Sequence, residues 1–145
     1  MAGTGTGAVD GVGTAGRFAT GGVVAASDGA ALLAWVGGDE QLHVAPRSSS
    51  GTWGKERVIT GEGARGTGIG AQPDLVANAA GRAVLVWSIN DRSYGAVGRI
   101  DGTFGAPQLL DVGPTSSNAA YVALGPTGHA IVAVNNFDWW STKPG

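Results

Sequence analysis

Gly51-Thr52-Trp53-Gly54 and Gly102-Thr103-Phe104-Gly105 are copies of one short motif, and Gly13-Thr14-Ala15-Gly16 is a weaker third. Each leads into a stretch with apolar positions and then a Gly-rich turn. The copies lie 38 residues apart (51 minus 13) and then 51 apart (102 minus 51). A unit that recurs on this scale is an array, and the array dictates the architecture before any single residue does.

A second element fills the gaps. Ala31-Leu32-Leu33-Ala34-Trp35-Val36 and Ala83-Val84-Leu85-Val86-Trp87 are short apolar runs that follow Gly29 and Gly81. Trp35 and Trp87 each stand six residues after that glycine (35 minus 29; 87 minus 81), and Val134 stands six after Gly128 (134 minus 128). Length and β-branched content make these runs buried strands rather than helices. No window combines a helical period with caps, and Gly and Pro recur too often for a long helix.

Four strands fit each unit. The first is Val23–Ala26, matched by Leu75–Ala77 and Ala120–Ala123. Ser27-Asp28-Gly29, Asn78-Ala79-Ala80-Gly81 and Gly125-Pro126-Thr127-Gly128 supply the turn residues that follow. The second strand carries the Trp. The third is Gln41–Ala45, matched by Tyr94–Gly98, and the fourth is Glu56–Ile59, matched by Ala106–Leu110. Pro107 suits an outer edge, where no ladder donor is required.

A period of about 40 to 50 residues is that of a four-stranded propeller blade. The expected fold is therefore all-β: a β-propeller of antiparallel four-stranded blades, about three per chain. The chain is expected to form a single propeller-repeat domain over 1–145. It divides into an outer half-blade at 7–20, blades at 23–60 and 74–110, and an inner half-blade at 119–142. The two half-blades are complementary. Because closed propellers need roughly four to eight blades, a homo-oligomer is expected, with a dimer giving about six.

The unit resembles bacterial β-propeller repeats of the sialidase-like and lectin-like kind. There, an apolar strand, an Asn/Asp-x-x-Gly turn, a Trp-ending strand and a Gly-Thr-Trp follow one another. The likeness runs from about Gly13 to Val134. It implies a propeller with a carbohydrate-related role. The sialidase Asp-box, Ser-x-Asp-x-Gly-x-Thr-Trp, is not met: Ser48-Ser49-Ser50-Gly51-Thr52-Trp53 has no Asp and sets Gly beside Thr. No catalytic role is carried over.

Composition narrows the partners. Only 14% of residues are charged and the net charge is -2, too little clustered cation for a nucleic-acid surface. Lys55 and Arg57 alternate on one expected strand and read as a solvated face. With no Cys there is no disulfide framework and no thiolate chemistry. No run of about 18 apolar residues occurs, so no membrane-spanning helix is expected. The start, Met1-Ala2-Gly3-Thr4-Gly5-Thr6-Gly7, lacks the basic and apolar regions of a signal peptide.

The two histidines, His43 and His129, form no metal-ligand spacing and read as structural. Asp28, Asp74, Asp91, Asp101 and Asp138 read as turn formers. Gly66-Thr67-Gly68-Ile69-Gly70 lacks the Lys-Ser/Thr of a phosphate loop. It reads as part of a linking loop, Glu62 to Pro73, at the lip of a site. No nucleophile elbow is present. Arg82, Arg92 and Arg99 are the residues a sialidase-type site would have to bring together. No cofactor is expected.

The aromatic residues are the better lead. Trp35 and Trp87 are expected to pack between blades, while Trp53 and Phe104 follow outer turns and are less enclosed. Trp139 and Trp140, beside Asn135, Asn136 and Asp138, are the expected ligand contacts, with sugar stacking in view. Trp53 and Phe104 complete that candidate set. The competing use of Trp139 and Trp140, placed slightly ahead of sugar contact, is an intersubunit contact. The expected function is a non-enzymatic binding or scaffold module with carbohydrate as its ligand. The alternatives are a self-assembling fragment without a ligand and a sialidase-type hydrolase.

Overall fold

A computed structural model of the chain describes residues 21–61, 73–89, 92–110 and 116–137. Ten strands and no helix occur among them. The first sheet holds β1 (Gly21–Ala25), β2 (Ala31–Val36), β3 (Leu42–Arg47) and β4 (Arg57–Val58). The second holds β5 (Asp74–Ala77), β6 (Arg82–Ile89), β7 (Arg92–Arg99) and β8 (Gln108–Leu109). The third pairs β9 (Ser116–Leu124) with β10 (Ala130–Phe137). Every pairing is antiparallel between strands consecutive in sequence.

The repeat is visible in individual hydrogen bonds. After the first strand of each sheet the same turn closes: Gly29 N–H donates to Ala26, Gly81 to Asn78 and Gly128 to Gly125, at 2.9 to 3.0 Å. All three glycines have φ between 76° and 90°, a region that other residues enter only at a cost. The outer turns match as closely. Ser48 N–H to Thr52 O, Gly54 N–H to Pro46 O and Ile59 N–H to Leu42 O recur in the second sheet. There they are Arg99 to Thr103, Gly105 to Val97 and Leu110 to Ser93, each shifted by 51 (99 minus 48).

Alternation along the strands gives each sheet two different faces. One carries the tryptophan of the second strand and is called the front; the other is the back. The back of the first sheet (Val24, Leu32, Ala34, Leu42, Val44, Ile59) packs on the front of the second (Leu75, Leu85, Trp87, Tyr94, Ala96). The back of the second sheet (Val84, Val86, Leu110) packs in turn on the front of the third (Val122, Leu124, Val132). The sheets thus stack in sequence order, always back to front. Trp87, Leu32, Leu42 and Leu85 are fully buried between the first two sheets, each worth about 1.5–3 kcal/mol by transfer from water.

The first strands are the points of closest approach. A Cβ at Gly22 in β1 would lie 2.9 Å from the Pro73 carbonyl oxygen and 3.4 Å from the Leu75 Cβ. One interface further on, the Asp74 carboxylate of β5 accepts the Val122 N–H of β9 at 2.8 Å. The Asn78 side-chain amide donates to the Gly125 carbonyl at 3.1 Å and ties adjacent turns together.

Several expectations change. Asp74 is a strand residue that joins two sheets, not a turn former. The fourth strands shrink to two ladder residues each, Arg57–Val58 and Gln108–Leu109. Pro107 falls just before the ladder and Lys55 off it, so Lys55 and Arg57 do not share a strand. The second strand of the third unit does not stop near Val134. Asn135, Asn136 and Phe137 continue β10 and pair with Ala119, Ser117 and Ser116 across a register shift. The expected half-blade at 7–20 lies outside the described residues.

Candidate functional site

The described residues form an open groove of ≈ 260 Å³ where the outer edges of the first two sheets meet. Arg57, Ile59 and Thr60 of the first sheet form one wall. Thr103, Phe104 and Ala106 of the second sheet form the other. The sequence builds this wall locally. Phe104 is held by a β-bridge to Gly98, whose missing side chain is required: a Cβ there would lie 2.5 Å from the Phe104 ring. One side of the ring packs against the core between the sheets, leaving Phe104 half-buried at the groove wall.

Charged groups flank the groove. Asp101, at the turn before Phe104, is held below the usual carboxylate range. The main cause is the Thr103 hydroxyl, which donates to it at 2.5 Å; the Thr103 N–H adds a second bond at 2.9 Å. The Arg99 and Arg57 charges act in the same direction. Arg57 is exposed and offers a planar fork of donors. The groove thus sets an aromatic ring beside a guanidinium and hydroxyl groups.

A second polar cluster sits on the front of the first sheet. His43 is buried and stacks on Trp35, with ring centroids 5.3 Å apart and planes 17° from parallel. Its Nε2 lies 2.8 Å from Asp39 Oδ1 and its Nδ1 lies 2.6 Å from Glu56 Oε1. Asp39 reaches back because the loop between β2 and β3 turns sharply, with Glu40 at φ 60° and its N–H bonded to Gly37. The bond from His43 is the largest cause that lowers the Asp39 carboxyl from 3.8 to about 2, with Gln41 adding to it and burial opposing it. The carboxylates take opposite ring nitrogens and so do not converge on one point. Among the described residues no group of three His, Cys, Asp or Glu is placed to hold a metal ion.

The sequence-derived candidates divide. Phe104 lines the groove. Trp53, its counterpart 51 residues earlier (104 minus 53), bridges Arg47 at the outer turn of the first sheet and is half-buried. Trp53 and Phe104 therefore belong to successive sheets and do not share a site. Asn135 and Asn136 lie on β10, whereas Asp138, Trp139 and Trp140 fall outside the described residues, as does the Glu62 to Pro73 loop except for Pro73. Trp87 packs between the first two sheets as expected; Trp35 is buried on the front of the first.

Arg82 and Arg99 face each other across β6 and β7, and Arg92 lies at the opposite end of β7. The three do not converge. Asp28 and Asp101 act as expected, accepting the N–H groups of Ala30 and Thr103 two residues on. His129 is exposed after its turn. Sequence reading missed Asp39, Glu56 and Thr60, and read Arg57 only as part of a solvated face. The available signal was the repeat itself, because His43 stands where the second sheet has Tyr94 (94 minus 43 is 51).

Comparison with protein-family models finds no match, and comparison with curated proteins finds none.

Proposed function

We propose that this chain is a non-enzymatic binding or scaffold module whose sheets are the blades of a β-propeller completed by homo-oligomerisation. The observation that carries this reading is the unfinished third sheet. Among the described residues β10 has a partner on one edge only, although the first and second sheets place a third strand on the corresponding edge. The packing agrees. Pro46 in the first sheet is half-buried, with its ring 3.1 Å from where a Cβ at Gly102 would stand. Val97 holds the same position in the second sheet and is 53% exposed. The outer half of a third blade would cover it.

The radial order supports the same reading. The first strands β1, β5 and β9 touch in succession, while the short β4 and β8 lie at the far edges. That is how blades pack around an axis. A dimer with about six blades is the favoured assembly. Carbohydrate is the favoured ligand class, supported by the Phe104 and Arg57 groove.

Native mass spectrometry tests the assembly. A dimer mass is expected, and a folded monomer at micromolar concentration would overturn it. A glycan array tests the ligand. Binding lost on Arg57→Ala, or on Trp139→Ala, supports a lectin-like role. An intact oligomer that binds no glycan leaves a scaffold that assembles without a ligand.

A further inference from the structure

The back-to-front packing of the sheets specifies how copies would join. Leu75 in β5 and Val122 in β9 hold the same position on the front of their sheets (75 plus 47 is 122) and are 5% and 9% exposed. Val23 holds that position in the first sheet (75 minus 52) and is 66% exposed. On the backs, Leu32 and Val84 (32 plus 52) are 0% and 4% exposed, whereas Ile131 (84 plus 47) is 74% exposed. The stack therefore ends in two uncovered apolar positions that differ from each other, and each matches what the other end lacks.

The contacts inside the chain give the register. Gly22 meets Leu75 across the first interface, and Asp74 meets Val122 across the second. Both pairs join the same two positions of successive first strands (22 plus 52 is 74; 75 plus 47 is 122). The next pair in the series is Tyr121 (74 plus 47) with Val23. Tyr121 is 63% exposed.

We infer that chains associate head to tail. The back of the third sheet, with Tyr121 and Ile131, packs on the first-strand margin of the front of the first sheet of a second copy, because Trp35, His43 and Ala45 further along that front are already buried while Val23 is exposed, and Tyr121 meets the partner subunit's Val23. The occupant is a second copy of this chain because the interface continues one that the chain already makes twice. The contact is heterologous: each copy uses one face to give and a different face to receive. This inference rests on the proposed oligomeric assembly and names its interface.

The chain has no Cys, so thiol cross-linking reads the contact cleanly. A Cβ at Gly22 would lie 3.4 Å from the Leu75 Cβ, close to the spacing a disulfide spans. Mixing Val23→Cys chains with Tyr121→Cys chains under oxidation should give a covalent dimer, and each variant alone should give little. Links that form in one variant alone would overturn the head-to-tail arrangement in favour of a face meeting its own copy. The double variant Val23→Cys/Tyr121→Cys should link between chains; a link within one chain would overturn the inference. Ile131→Asp should weaken association by about tenfold or more. Leu109→Asp, on an outer strand exposed in the same way as its counterpart Val58, should not. An oligomer that stays unlinked sinks this interface and leaves the assembly standing. A wild-type monomer sinks both.

Discussion

The Trp87 indole stacks on the Tyr94 ring across the β6–β7 pair, with centroids 6.2 Å apart and planes 19° from parallel. Trp35 and His43 repeat the arrangement in the first sheet. The Trp87–Tyr94 pair is enclosed between two sheets; the Trp35–His43 pair lies on a face that no described sheet covers. Trp87→Ala should cost about 3–5 kcal/mol, because it empties a fully buried site in the larger core. The urea midpoint checks it. A change within about 0.5 kcal/mol, the range of surface substitutions, would mean the two sheets do not share that core.

Asp39 makes a pH-dependent contribution of known sign. Its carboxyl is lowered from 3.8 to about 2, so its stabilising effect is present above 3.8 and lost as pH falls through about 2. Asp39→Asn should lower stability slightly above pH 3.8, where the contribution is present, converge with the wild type as pH falls through about 2, and so flatten the acid part of the unfolding curve. The effect is small, because the Asp39 side chain is 45% exposed and solvent screens it. A variant whose acid limb overlays the wild type would remove the His43 contact as the cause.

Gly22 is required by contact. A Cβ there would lie 2.9 Å from a backbone carbonyl oxygen, which cannot rotate away as a side chain can. Gly22→Ala should destabilise by roughly 1–3 kcal/mol, as seen in thermal unfolding. Asp74, at the same position one sheet on, has room for a side chain and uses it. Asp74→Ala strands the Val122 N–H and should cost about 1–3 kcal/mol. Asp74→Asn, which keeps an acceptor, should recover most of that loss.

Glu40 offers a stabilising change. Its φ of 60° is in the left-handed region, which glycine enters without strain. Glu40→Gly should raise stability by about 0.5–1 kcal/mol, and the same variant should leave the Asp39 to His43 bond in place. A lowered melting temperature would show that Glu40 contributes a contact of its own.

In the groove, Arg57 is the residue to change first, because it is exposed and its loss should leave stability unaltered within about 0.5 kcal/mol. If the proposed carbohydrate reading holds, Arg57→Ala should weaken a bound glycan by about tenfold, the loss of one charged hydrogen bond. Isothermal titration against a glycan found on an array measures it. Unchanged affinity would move the binding surface away from this groove.

Much of the fold was legible because turns and alternation act locally. Gly29, Gly81 and Gly128 sit where positive φ is needed, and the apolar runs beside them could only be strands. What was illegible depended on partners distant in sequence. Asn135 and Asn136 look like a strand end, yet they extend β10 because Ala119 and Ser117 of β9 are there to pair with them. Asp74 looked like a turn former until Val122, 48 residues away, supplied the N–H it accepts. His43 looked solitary because Glu56 is 13 residues downstream and reaches it only across the sheet. The Arg57 and Phe104 groove exists only once two sheets are side by side, so no local pattern could announce it.

The difference between the two faces of each sheet gives the chain a polarity, as a monomer has in a growing polymer. If copies join head to tail as inferred above, a copy with one spoiled face can still add to the other end, and then nothing can add to it. A trace of such a copy would act as a terminator: it would lower the yield of complete assemblies in proportion to its share and leave every individual chain folded.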